Sequence, residues 1–337
     1  MKKRGRFSYQ EISDSSGISI STISRVLNKS PLVTEETRSR VIEAMKALGV
    51  DVSFLDLNPL PRNNLIIFNV PTLKNPFYSP IIEASRVTAA ANGYKLLVNE
   101  DPISEASLEG FLDLIRKTRA CGLLCSNPVE KGRLQILAKE IPTVTCCESV
   151  ASSGVPFVTI DDETASENAV KYLISLGKKR IAFINGPESF KYARDRYKGY
   201  STALSSYGIE VDSSLICSVG ADMDFEVARA QALRMLSMEN RPDAFFCCSD
   251  VLACAAIKAS FESGLKVPGD IAVVGFDNIQ ISQIMNPSIT TVCQPTSQIG
   301  TIAVEMLLKV MKNDARAMKA IYLGAELIIR ESTSNFK

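Results

Sequence analysis

The sequence predicts an α/β protein with an N-terminal three-helix, helix-turn-helix head and two doubly wound parallel-sheet lobes. Three features predict it. A hydroxyl-rich amphipathic segment at residues 19–28 lies between two further helix-length segments. Beyond residue 64, short β-rich runs alternate with amphipathic runs of helix length, the rhythm of βαβ units and parallel sheets. The chain has 337 residues and is 46% apolar, too long for one ordinary core and long enough for a small head and two lobes.

The head is read in chain order. Ser8 caps a first helix that turns Ile12 inward, and Gly17-Ile18 makes the tight turn that follows. Ser19-Ile20-Ser21-Thr22-Ile23-Ser24-Arg25-Val26-Leu27-Asn28 puts hydroxyls, an arginine and an amide on one helix face and apolar residues on the other. Thr34-Glu35-Glu36-Thr37 opens a third helix, with Val41, Met45 and Leu48 on one face. Ser21, Thr22, Arg25 and Asn28 suit a helix that reads DNA, because they reach base edges and phosphates without filling a major groove. A solvated amphipathic helix is the plain alternative for such a face taken alone. Charge favours DNA: residues 1–50 carry nine cationic and five anionic side chains, a balance of +4. The rest of the chain, with 29 cationic and 32 anionic residues, stands at −3, so a polyanion partner belongs to the N-terminus alone.

Past the head, strands are expected over 65–70, 94–99, 120–126, 142–147, 157–160, 180–185, 215–219, 244–249, 271–276 and 320–329. Helices are expected over 77–92, 105–119, 165–176, 195–207, 225–238, 251–263 and 297–312. Ten strands are many for one open sheet, so two lobes are expected, with any ligand in the cleft at the strand carboxyl ends. No apolar run approaches the ~20 residues that span a bilayer, and no apolar stretch follows the basic N-terminus, which predicts a cytoplasmic protein. Cys121, Cys125, Cys146, Cys147, Cys247, Cys248 and Cys254 lie in apolar runs without framework spacing and read as buried reduced thiols. The chain has no histidine, which removes Ser/His and Cys/His nucleophiles and mixed Cys/His zinc sites. No CxxC, GxGxxG or GxxxxGK[ST] occurs, so no cofactor or metal is expected. Asp161-Asp162, read as strand residues, point to opposite faces and make a poor acid/base couple.

The pattern Gln10-Glu11-Ile12, Gly17-Ile18-Ser19, Thr22 to Asn28, Val33-Thr34 and Thr37-Arg38 resembles the N-terminal domain of the lactose-repressor (LacI/GalR-type) family. The resemblance continues from Leu65 to Thr333 through Asn75-Pro76-Phe77-Tyr78, Ala91-Asn92-Gly93-Tyr94, Ile184-Asn185-Gly186-Pro187, Arg196 to Tyr200, Ser249-Asp250, Val274 to Asn278, Pro287 to Thr291 and Leu327 to Thr333. Within the family the texture is most similar to the cytidine-repressor subgroup. The resemblance implies lobes of the periplasmic-binding-protein type and a helix-turn-helix domain at 1–49, a hinge at 50–63 and an effector-binding and dimerisation domain at 64–333. In that division lobe 1 is about 64–161 and 291–319, and lobe 2 about 162–290 and 320–333. It further implies DNA contacts from Ser8, Ser19, Ile20, Ser21, Thr22, Ser24, Arg25, Asn28 and Thr34. Effector contacts fall on Phe77 and Tyr78 from one lobe and on Arg194, Arg196, Met223, Ser249 and Asp277 from the other. The chemistry is coherent: a polyhydroxylated ring is held by aromatic faces, guanidinium donors and an accepting carboxylate. Each residue alone also has a plain reading as core, cap or surface ion pair.

Together these features predict a ligand-responsive regulator, a repressor, that binds a near-palindromic operator as a dimer and a small sugar or nucleoside in its cleft. A cytoplasmic solute-binding module and an enzyme on the same lobes are the alternatives, since fold does not fix function. Only seven residues follow Arg330, too few for a heptad tail joining dimers. The connector departs from the family pattern. Relatives carry a short helix with a leucine wedge for the minor groove, and here that position falls on Pro59, with Leu57 and Leu60 as shifted wedges and Pro61 following. Proline inside a helix costs ~3 kcal/mol, so coupling between cleft and operator is expected to be weak. Operator titrations with and without saturating effector should differ by no more than about tenfold, and a hundredfold shift would show that this proline-rich segment works as a normal hinge.

Overall fold

The computed structural model describes residues 8–27, 33–50, 63–150, 152–313 and 320–334. The chain divides into two compact units, one ending at Arg62 and one running from Asn63. Asn28 and the expected hinge residues Leu57, Pro59 and Leu60 lie outside the described residues.

In the first unit, α1 (Tyr9–Ser16), α2 (Ile20–Leu27) and α3 (Glu35–Ala47) share a core of Ile12, Ile18, Ile23, Val26, Val41 and Met45. Each helix start is fixed locally. Ser8 and Glu11 form a reciprocal capping box, Ser19 Oγ accepts from the Thr22 N–H at 3.3 Å, and Thr34 accepts from the Thr37 N–H. A cap of this kind contributes ~1 kcal/mol. Gly17 ends α1 at φ 67°, a left-handed conformation suited to glycine, and its N–H donates to the Ser13 carbonyl at 2.8 Å. Arg40 reaches from α3 to the Ser16 carbonyl at 3.1 Å and ties the third helix to the turn.

The second unit begins with β1 (Leu65–Asn69), α4 (Tyr78–Ala91), β2 (Lys95–Asn99), α5 (Leu108–Thr118), β3 (Gly122–Cys125), α6 (Lys131–Glu140), β4 (Thr143–Cys146) and β5 (Phe157–Ile160). It continues through α7 (Asp162–Ser175), β6 (Ile181–Asn185), α8 (Lys191–Ser206), β7 (Ile216–Ser218), α9 (Phe225–Leu236), β8 (Ala244–Cys247), α10 (Asp250–Glu262) and β9 (Ala272–Asp277). The closing elements are α11 (Ile281–Ile284), β10 (Thr290–Cys293), α12 (Thr296–Met311), β11 (Ala320–Leu323) and β12 (Glu326–Ile328). Two six-stranded sheets result, in the orders β11-β5-β4-β3-β1-β2 and β12-β10-β9-β8-β6-β7. Every pairing is parallel except that of β10 with β12. Such strands are covered on both faces, and Ile181–Ile184 and Ala244–Cys247 are buried along their whole length.

The chain therefore crosses between lobes three times, and this corrects the expected lobe limits. Thr291–Cys293, expected in lobe 1, belongs to β10 of the second sheet, and Ala320–Leu323, expected in lobe 2, is an edge strand of the first. The single strand expected over 320–329 breaks at Gly324-Ala325 into two strands in different sheets. Strand β10 escapes pattern reading because Thr290 and Thr291 look like loop residues. Both are fully buried: Thr290 Oγ1 donates to the Arg330 carbonyl at 3.1 Å and Thr291 Oγ1 to Asp250 at 2.5 Å. Helices α7 and α8 begin three and four residues earlier than expected, and α6 and α11 were not anticipated.

Helix pairs pack closely at glycines. A Cβ on Gly199 of α8 would stand 2.2 Å from the Glu163 carbonyl of α7, and one on Gly300 of α12 would stand 2.4 Å from the Ile81 carbonyl of α4. Gly199→Ala should therefore overpack the α7–α8 contact and destabilise by ~1–3 kcal/mol, lowering Tm by roughly 2–4 °C per kcal/mol. Gly110→Ala, in α5 with nothing within 4 Å of its added methyl, should instead be neutral or stabilising by up to about 1 kcal/mol. Melting curves of the two variants check the contrast.

Candidate functional site

In the head, α2 turns Ile23 and Val26 into the core and leaves Ile20, Ser21 and Arg25 exposed, with Ser24 partly so. Ser8, Ser19 and Thr34 use their hydroxyls as helix caps, so their expected role at DNA starts from hydroxyls already engaged in capping. Ser19 Oγ also lies 3.0 Å from Ser21 Oγ and 2.9 Å from Thr22 Oγ1, which fixes this hydroxyl cluster at the start of α2.

In the second unit, a chamber lies between the lobes at the carboxyl ends of their strands. Asn75, Phe77, Tyr78, Cys147, Glu148 and Thr159 line it from the first lobe. Asp162, Tyr192, Arg196, Met223, Cys248, Asp277 and, just beyond β10, Gln294 complete the wall. Phe77 and Tyr78 stand at the start of α4 with their rings edge to face at 5.2 Å, and Asn75 Oδ1 accepts the Phe77 N–H at 3.1 Å. Cys147, Met223 and Asp277 take positive φ values of 65°, 54° and 102°, so three non-glycine residues in left-handed backbone line one small space. Such strain costs of order 1–3 kcal/mol per residue and collects where a site fixes side-chain direction.

The electrostatics centre on Arg196, which is 4% exposed. Its Nε and Nη2 each lie 2.9 Å from Asp162 Oδ1, its Nη1 donates to the Cys248 carbonyl at 2.5 Å, and its plane stands 3.5 Å over the Phe276 ring. Lys191 Nζ holds the other Asp162 oxygen and Asp195 Oδ2, both at 2.9 Å. Asp277 accepts from Gln294 Nε2 at 2.7 Å and lies 3.8 Å from Arg196. Glu148 accepts the Lys191 backbone N–H through Oε1 at 3.0 Å and Oε2 at 3.3 Å, a bond from one lobe to the other. Burial pushes the Glu148 carboxyl up to about 8, over the opposing pull of the Lys191 N–H and the Arg194 and Lys191 cations. It pushes Asp277 up to about 7 in spite of Arg196 and Gln294. The Tyr192 hydroxyl is buried and has no hydrogen-bond partner among the described residues.

Five of the seven expected effector residues converge here: Phe77, Tyr78, Arg196, Met223 and Asp277. Two do not. Arg194 is exposed, donates to the Glu188 and Ser189 carbonyls at 2.7 Å, and lines a separate outer cavity of about 730 Å³. Ser249 caps α10, where its hydroxyl accepts the Leu252 N–H. Asp161-Asp162, expected on a strand, instead start α7, with Asp161 capping Thr164 and Asp162 buried on Arg196 and Lys191. An acidic pair, Glu163 and Thr164 directly after a β run is a helix-start signature that could have placed them. Nothing comparable in the sequence singles out Glu148, Tyr192 or Gln294.

The chamber has about 20 Å³ of free space, enough for a water-sized body, whereas small-molecule pockets run roughly 300–1,000 Å³. The two acids form its partitions. Glu148 also borders the outer cavity of about 730 Å³, and Asp277 borders an apolar groove of about 940 Å³.

Because its folded carboxyl binds a proton more tightly than an exposed glutamate, Glu148 keeps its proton where the unfolded chain has lost it. Its contribution to stability therefore falls as pH rises from about 4.5 to about 8. Glu148→Gln should raise Tm by several degrees at pH 8 and change it little at pH 4.5. An equal change at both pH values would show that the carboxyl is not held protonated.

Comparison with known proteins accords with this architecture. Residues 8–50 match the model of bacterial regulatory proteins of the lacI family, and residues 170–333 match the periplasmic binding protein-like domain. The HTH-type transcriptional repressor CytR of Escherichia coli K12 is 35% identical over 320 residues, covering 94% of this chain and 93% of the relative. The repressor PurR of Histophilus somni is 30% identical over 331 residues, 96% and 98% of the two chains. The crystal structure of the lac repressor dimer bound to operator and the anti-inducer ONPF has the same fold, with a TM-score of 0.71 at 24% identity over 98% of this chain and 99% of that one. The chain belongs to the LacI family of bacterial regulatory proteins and is a ligand-responsive, DNA-binding transcriptional regulator.

Proposed function

We propose that this protein is a cytoplasmic repressor that binds a near-palindromic operator as a homodimer through α2 and responds to a small sugar or nucleoside held in the interlobe chamber. The observation that carries the effector reading is the convergence of Phe77, Tyr78, Arg196 and Asp277, from both lobes, on one strained, buried space at the strand carboxyl ends. A ring with several hydroxyls meets there an aromatic edge, a guanidinium and two carboxyls. With only about 20 Å³ free, the lobes must part to admit it.

Dimerisation is supported by the groove of about 940 Å³ along Pro76, Pro80, Phe225, Val251, Ile281 and Met285, beside Ile284, which is 70% exposed. A contiguous apolar surface of this kind fits a second protein surface. Asp277 borders both groove and chamber, so one residue faces both the proposed ligand and the proposed dimer face. The DNA reading rests on the exposed Ser21, Arg25 and Ile20 face and on the positive balance of the first 50 residues.

Arg25→Ala should weaken operator binding by ~1–3 kcal/mol and leave ligand binding unchanged. Arg196→Ala and Asp277→Ala should each abolish the ligand response while DNA binding by the free protein survives, because removing one partner of a buried charged hydrogen bond costs several kcal/mol. Mobility-shift titrations with genomic operator fragments, with and without ligand, check both; normal ligand binding by both chamber variants in calorimetry would overturn the pocket assignment.

A further inference from the structure

The chamber is crowded with the protein's own acids. Its wall contains three carboxyls, Glu148, Asp162 and Asp277, and a single cation, Arg196. That guanidinium is committed to Asp162 and the Cys248 carbonyl, and it lies 3.8 Å from Asp277. Lys191, immediately behind the wall, is committed to Asp162 and Asp195.

Helix N-termini, the other usual seat for an anion, are engaged as well. The first backbone N–H of the 16-residue α8 points at the Glu148 carboxyl, so the protein's own side chain occupies the place a phosphate would take. Asp161 caps α7, Ser249 caps α10, and Asn75 Oδ1 accepts the Phe77 N–H before α4. Burial that holds Glu148 and Asp277 above the ordinary carboxylate range carries the same message: the chamber resists a negative charge even on its own residues. The donors and acceptors left for a ligand suit neutral groups, foremost the unpartnered Tyr192 hydroxyl.

We propose that the chamber selects uncharged or cationic polyhydroxylated ligands, such as nucleosides and free sugars, and rejects their phosphorylated forms, with Glu148 as the residue that excludes the phosphate. This rests on the reading of the chamber as the effector site. A phosphate dianion entering it finds no unengaged cation among the wall residues and a helix start already filled by Glu148. The protein thereby distinguishes a nucleoside from its nucleotide, or a sugar from its sugar phosphate, by charge and not by shape.

Isothermal titration calorimetry on the full-length protein tests this with cytidine, uridine, adenosine and glucose, each beside its 5′-monophosphate or, for glucose, the 6-phosphate. At least one neutral compound should bind at least 100-fold more tightly than its phosphate. Glu148→Ala, checked for a native melting curve, should narrow that gap at least tenfold by opening the first N–H of α8 to the phosphate. A phosphate that binds within tenfold of its parent overturns the charge selection, as does a gap unchanged in Glu148→Ala. The chamber assignment fails separately, if the neutral compound binds with the same affinity to Arg196→Ala and Asp277→Ala. Absence of heat from every neutral compound in native protein overturns the ligand class.

Discussion

The buried pair of Arg196 and Asp162 is the contact on which the rest of the second unit's cleft depends. One guanidinium gathers the ends of four segments: Asp162 at the start of α7, the Cys248 carbonyl after β8, the Phe276 ring of β9, and α8 itself, which carries it. Isolated in a low dielectric, such a charge is untenable; paired and hydrogen-bonded it fixes geometry more than it adds stability. Lys191 completes the balance by taking the second Asp162 oxygen. Because Asp162 is shared, a change in either cation is felt by the other.

Around that anchor the chamber is held in tension. Cys147, Met223 and Asp277 sit in backbone conformations that side chains avoid, each at the end of a strand or in the loop after one. The parallel sheets hold Cys147 and Asp277 there, since β4 and β9 are buried along their whole length and cannot shift without opening the core. Raised carboxyls, an orphaned tyrosine hydroxyl and strained backbone then coincide in a space too small for a ligand. This is the profile of a surface shaped to open, with Glu148 on one flank and Asp277 on the other.

Much of this was legible in the sequence where the determinants are local. Ser8 with Glu11, Gly17 and Thr34 are capping signals that act within a turn, and the three head helices follow from them. The alternation of β and helical runs gave the two-lobe α/β architecture, and the motif positions gave five of the chamber's thirteen wall residues, Phe77, Tyr78, Arg196, Met223 and Asp277. What stayed hidden depends on distant partners. Thr290 and Thr291 look soluble until their hydroxyls find Arg330 and Asp250, 40 and 41 residues away. Glu148 is one carboxylate among 37 acids until α8 packs its first N–H against it. Arg194, beside Arg196 in sequence, is turned outward by the helix period, which no composition argument reveals.

The three crossings between lobes bear on how the protein is made. The first sheet receives its edge strand β11 from residues 320–323, and the second receives β12 from 326–328, so each lobe waits for the last stretch of chain to close. The head draws its whole core from residues 12–45. On a ribosome, which releases the N-terminus first, the DNA-reading helix can be finished while both lobes still lack their final strands. Chains truncated between residues 50 and 320 thus retain the head's core and carry no completed sensor: they keep the address and lose the control.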